Sequence, residues 1–145
     1  MTRALFAGSF DPFTLGHKSI VERVLTFADE VIVAIGVNVD KHSSASLEER
    51  KENIEKIFQT ENRVKVMAYE GLTVDFAKEI GATLLVRGVR SCADFEYERD
   101  IALVNRQLSG IETVLMFSDV KYEYISSSIV RELKKYGKDV QEFIP

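Results

Sequence analysis

The chain is poor in the residues that build covalent cross-links and metal centres. It has one cysteine, Cys92, so no internal disulfide can form. Without a CxxC or a Cys/His cluster, a structural zinc site is not expected either. Only two histidines occur, His17 and His42. There is no excess of positive charge: 19 Lys and Arg stand against 23 Asp and Glu, a net charge of −4, with a pI near 5.3. That balance argues against general nucleic-acid binding and leaves room for a local basic pocket. The longest apolar stretch, residues 31–37, is far short of a membrane span. The early apolar run stops at Gly8, too soon for a signal-peptide core. These absences predict a soluble protein of a reducing, cytoplasmic compartment. The two familiar phosphate loops, GxGxxG and GxxxxGK[ST], are missing as well.

What is present suits a single domain. The 145 residues are 46% hydrophobic, ample for one core, and 29% charged, enough for a solvated surface. Short apolar runs at residues 4–8, 31–37, 64–68, 83–86 and 113–117 read as strands. Between and after them, helical spacing predicts helices at about 17–27, 46–58, 73–80, 94–108 and 129–136, with a last turn within 140–144. Ser46 and Glu49 form a capping-box pattern, and Gly81, Gly110 and Gly137 stand at helix ends. The second strand is apolar on both faces and therefore buried on both, as in a parallel sheet covered by helices; the third alternates and belongs nearer an edge. Such alternation predicts a single α/β domain, Rossmann-like and doubly wound, with a five-stranded parallel sheet and helices on both faces. Ligands of such sheets bind beyond the carboxyl ends of the strands.

The stretch from Ala4 to His17 organises this pattern. A strand ends at Gly8, which permits a tight turn; Asp11-Pro12 enforces an extended or turned segment; a helix follows Gly16. The first N–H groups of that helix lack intrahelical partners and carry partial positive charge, which suits a phosphate, and His17 stands at the entrance. The same spacing also suits a capped βα turn with no ligand. Beyond the other strands lie Lys41, then Leu72 and Thr73, then Arg87, Gly88 and Arg90, then Tyr122, Ser126, Ser127 and Ser128. Cations gathered at one edge of an acidic protein predict an anion there, with ordinary solvated loop charges as the alternative. Three serines at one helix start exceed what an N-cap requires.

Gly8-Ser9-Phe10-Asp11-Pro12 followed by Thr14-Leu15-Gly16-His17 resembles the (H/T)xGH signature of the nucleotidyltransferase superfamily. Arg87-Gly88-Val89-Arg90 resembles its RGxR stretch, Asp94 to Glu98 a DFEYE block, and Ile125 to Arg131 the ISSTxxR motif with Ser128 in place of threonine. Together these blocks, spread over nearly the whole chain, resemble bacterial phosphopantetheine adenylyltransferases. The resemblance implies transfer of the adenylyl group of ATP to 4′-phosphopantetheine, giving dephospho-coenzyme A and pyrophosphate, with Mg2+ accompanying ATP and no dedicated protein metal ligands. It assigns catalysis to His17, Lys41 and Arg90. It assigns ATP binding to Ser9, Phe10, His17, Gly88, Val89, Arg90, Glu98, Tyr122, Ser126, Ser127 and Ser128. Acceptor binding falls to Ser9, Lys41, Leu72, Thr73 and Arg87. It also implies a homohexamer, with neither nucleic acid nor membrane as partner. Ser9 stands where many relatives have threonine, and Tyr122 where some have tryptophan. A nucleotidyltransferase with another phosphate acceptor, or a non-catalytic nucleotide-binding domain on the same fold, are the alternatives.

Overall fold

A computed structural model describes residues 1–38 and 42–145. The elements run β1 (Arg3–Gly8), α1 (Leu15–Val24), β2 (Glu30–Gly36), α2 (Leu47–Ile57), β3 (Val64–Tyr69), α3 (Thr73–Glu79), β4 (Leu84–Val89), α4 (Cys92–Ser109), β5 (Glu112–Phe117) and α5 (Ser127–Lys135). Short 3-10 turns lie at Val120–Tyr122 and Gln141–Phe143. The five strands form one sheet in the order β3-β2-β1-β4-β5, every pair parallel.

Strand alternation divides the core into two layers. Ala4 and Phe6 of β1, with Val31, Val33 and Ile35 of β2, pack against Ile20, Val21 and Val24 of α1 and Ile54 of α2. Leu5, Ala7, Ile32 and Ala34 point the other way, onto Val74, Phe76 and Ala77 of α3. Beyond their first residues, Arg3 and Glu30, strands β1 and β2 are therefore apolar on both faces, whereas β3 alternates because it is an edge strand. The chain winds outward from β1 to β3, then returns to lay β4 on the other side of β1. This reversal opens a crevice at the carboxyl ends of β1 and β4.

Several boundaries differ from the sequence expectation. Arg87 and Gly88 belong to β4 rather than to a loop, because β5 continues the pairing: Arg87 faces Leu115, Gly88 faces Met116 and Val89 faces Phe117. Gly88 is tolerated in a strand because α1 crosses directly over it, and a Cβ there would lie 2.5 Å from Ile20 Cδ1. Helices α1, α4 and α5 begin two residues before their expected starts, since Thr14, Ser91 and Ser126 are the true N-caps. Helix α1 also ends at Val24 rather than residue 27. Ser46 Oγ accepts from the Glu49 N–H at 3.1 Å, but the reciprocal capping box forms elsewhere, between Thr14 and His17. The turn after β1 does not use Gly8. Phe10 takes the positive φ, 48°, and Gly8 instead makes room for its ring, whose Cζ would lie 3.0 Å from an added Cβ.

Candidate active site

A cavity of about 410 Å3 occupies the crevice. Three helix starts converge on it: Gly16 and His17 from α1, Arg90 and Asp94 from around the start of α4, and Ser126, Ser127 and Ser128 from α5. In each first turn backbone N–H groups lack intrahelical acceptors, so the cavity presents donors and partial positive charge from three directions.

His17 is fixed by its own capping box. The Thr14 N–H donates to His17 Nδ1 at 2.9 Å, and the His17 N–H returns to Thr14 Oγ1 at 3.4 Å. The ring meets Phe10 edge-on at 5.0 Å and lies 5.3 Å from Phe13. Burial, reinforced by the positive charges of Arg90 and Arg87, lowers its pKa to about 4. The imidazole is therefore neutral at pH 7. Since Nδ1 is occupied as an acceptor, Nε2 carries the proton and is left as a hydrogen-bond donor.

Arg87 is the most constrained cation. Its Nε and one terminal nitrogen donate to the two Glu98 carboxylate oxygens at 2.7 and 2.8 Å. The other terminal nitrogen donates to the Ala7 carbonyl at 2.8 Å. The Glu98 hydrogen bonds raise the arginine's pKa further. Among the described residues three of its five N–H groups find acceptors, and the fork holds the remaining two in place. Glu98, expected to bind ATP, also anchors this arginine. Arg87 also borders two neighbouring cavities. One, of about 630 Å3, is lined by Ser9, Gly36, Asn38, Tyr69 and Gly71. The other, of about 200 Å3, is lined by Thr73, Asn105 and Thr113, and among the described residues Thr113 Oγ1 has no hydrogen-bond partner.

The three serines have separate duties. Ser126 Oγ caps α5 by accepting from the Ile129 N–H at 3.2 Å. Ser127 Oγ donates to the Pro12 carbonyl at 2.7 Å. Ser128 Oγ accepts from Arg131 at 3.2 Å, and Arg131 also donates to the Asp11 carbonyl at 2.7 Å. The Ser127 hydroxyl and the Arg131 guanidinium stitch α5 to the loop after β1, and the cap leaves the N–H groups of Ser127 and Ser128 for a ligand.

Ser9, Phe10, His17, Arg87, Gly88, Arg90, Glu98, Tyr122, Ser126, Ser127 and Ser128 all border the main cavity. Val89 does not; its side chain is buried in the fold. Thr73 borders the smaller cavity beside Arg87, and Leu72 is an exposed residue at the start of α3. Lys41 lies outside the described residues. Sequence reasoning passed over Thr14, Asp94 and Arg131, although all three stand inside the motifs it quoted. Both cavity acids are engaged, Glu98 by Arg87 and Asp94 by Arg90. Among the described residues no group of three His, Cys, Asp or Glu can hold a metal.

An open α/β sheet with a crevice at its switch point, walled by helix starts and a neutral donor histidine, has the form of a site for a phosphorylated ligand. The cytidylyltransferase-like family model matches residues 5–133. The phosphopantetheine adenylyltransferase of Phocaeicola vulgatus is 54% identical over 145 residues, covering all of this chain and 96% of that protein. That of Bacteroides thetaiotaomicron is 50% identical with the same coverage. The chain belongs to the phosphopantetheine adenylyltransferase family. Its fold is shared with a bifunctional NMN adenylyltransferase/ADP-ribose pyrophosphatase of Francisella tularensis (TM-score 0.71, 16% identity), covering 99% of this chain and 44% of that one.

Proposed function

We propose that the chain transfers the adenylyl group of ATP to 4′-phosphopantetheine, with the main cavity as the ATP site. The observation that carries this reading is the His17 ring, which borders a cavity ringed by helix starts and keeps a neutral Nε2–H to donate. A phosphate oxygen of the acceptor attacks the α-phosphorus of ATP. The new P–O bond forms as the bond to the β-phosphate bridging oxygen breaks, and pyrophosphate departs. The nucleophile is already ionised, so no side chain takes a proton. Catalysis then consists of positioning and charge stabilisation. His17 Nε2–H and the α1 N–H groups stabilise the α-phosphoryl oxygens. Arg90 and the α5 start hold the leaving pyrophosphate. The two unengaged N–H groups of Arg87, with Lys41, hold the acceptor phosphate. Thr73 and Leu72 flank the pantetheine arm.

Mg2+ enters as part of the nucleotide substrate. With both cavity carboxylates already paired, the phosphates and water supply its ligands. We also propose a cytoplasmic homohexamer. Exposed Phe95, Leu103, Val104 and Leu108 on α4 support an interface there, and light scattering against the 16.4 kDa chain mass reads the assembly. Among the described residues no helix is long and apolar enough to cross a membrane.

The deciding assay supplies ATP with 4′-phosphopantetheine, nicotinamide mononucleotide or no acceptor, and follows pyrophosphate. Release is expected with phosphopantetheine alone. Nucleotide binding without acceptor-dependent release would instead make the chain a sensor.

A further inference from the structure

Arg50 lies one helical turn into α2 and is only 8% exposed. Among the described residues it forms no ion pair. Its shortest hydrogen bond, 2.7 Å, goes from a terminal nitrogen to the Ser9 carbonyl. Longer ones, at 3.4 Å, reach the Ser46 carbonyl and Ser43 Oγ. Burying a guanidinium to satisfy neutral oxygens is costly unless the arrangement has another use. Asp11, 4% exposed, does the complementary thing. Its carboxylate accepts from the Ser44 N–H at 2.7 Å, the Ser44 hydroxyl at 2.8 Å and the Ala45 N–H at 3.2 Å. Burial opposes its charge, but the Ser44 and Ala45 hydrogen bonds and nearby Arg50 hold the carboxyl below its usual range.

These two residues join the same pair of segments from opposite sides. One segment is the loop after β1, which carries Ser9. The other is residues 43–46, which follow Lys41 into α2. Given the adenylyl-transfer reading above, we propose that Arg50, with Asp11, is a positioning residue that fixes Ser9, on the wall between the ATP cavity and the acceptor cavity, against the residue 43–46 segment. The nucleotide side has its own ties: Thr14 to His17, Ser127 to Pro12 and Arg131 to Asp11. Loss of Arg50 leaves those bonds in place and frees Ser9, which borders both the 410 Å3 and the 630 Å3 cavities.

The test is steady-state kinetics of the full chain, varying each substrate in turn. Arg50→Met keeps the volume and removes the fork; it should raise the KM for 4′-phosphopantetheine about tenfold or more and the KM for ATP by clearly less, since the other nucleotide-side ties remain. Arg50→Lys, which reaches one acceptor but cannot fork, should fall between wild type and Arg50→Met. It carries the comparison if the methionine variant melts below assay temperature. Asp11→Asn should move the same KM, and the double variant should lose less than the product of the singles. Equal rises in both KM values, or an unchanged acceptor KM, would overturn the positioning role. An inactive wild type would overturn the adenylyl-transfer reading instead, so the two failures are distinct.

Discussion

In its pocket the His17 imidazole has one nitrogen committed to the Thr14 N–H and one left to donate. Removing that donor with His17→Ala should lower turnover by roughly 10²–10³, or ~3–4 kcal/mol, with a much smaller effect on ATP affinity. His17→Gln places an amide N–H near the lost Nε2–H and cannot shuttle a proton. It should therefore retain several times the turnover of the alanine variant. Equal loss in both would mean that the ring does more than donate. The position of His17 was legible from the TxGH spacing; its tautomer was not, because that depends on a backbone N–H held by the cap. Arg87 was likewise legible as a site cation. Its pairing with Glu98 was not, because the partners sit on different elements, a strand and a helix, brought together only by the fold.

Among the elements, α1 is set by its contact with β4. Gly88 lets the helix approach closely enough that Ile20 Cδ1 fills the space of a side chain. Gly88→Ala should destabilise the chain by about 1–3 kcal/mol through overpacking. Ile20→Val removes the offending methyl, so it should cost less in the Gly88→Ala background than in wild type. Denaturation midpoints of the two singles and the double check this, and strict additivity would mean that the contact does not govern the packing. Element identity and order were readable from periodicity, and so were the glycine stops: Gly81, Gly110 and Gly137 all have positive φ. The starts of α1, α4 and α5 were read two residues late because a cap is defined by its hydrogen bond, which periodicity does not report. Strand β4 was read too short because Arg87 and Gly88 look like a turn until β5 pairs with them.

Across the whole molecule, the buried neutral histidine links folding to pH. The unfolded chain binds a proton at His17 near the ordinary value of 6.5, whereas the folded chain resists until about 4. Between those values the unfolded state holds more protons, so stability falls as pH drops through that window, by at most about 3 kcal/mol. Above 6.5 the group has no such effect. The depressed Asp11 adds a loss only below 3.8. Urea midpoints from pH 4 to pH 8 should show the His17 contribution as a slope that His17→Gln lacks; parallel curves would contradict it. By itself the sequence determined the αβ order, the two-faced core and the chemical types at each strand end, since these depend on local periodicity and residue chemistry. Only the tertiary structure decided that β4 returns beside β1, that Glu98 anchors Arg87, and that Arg50 and Asp11 clamp one loop to another. Those are contacts between segments far apart in the chain, and local pattern carries no record of which distant partner a side chain will meet.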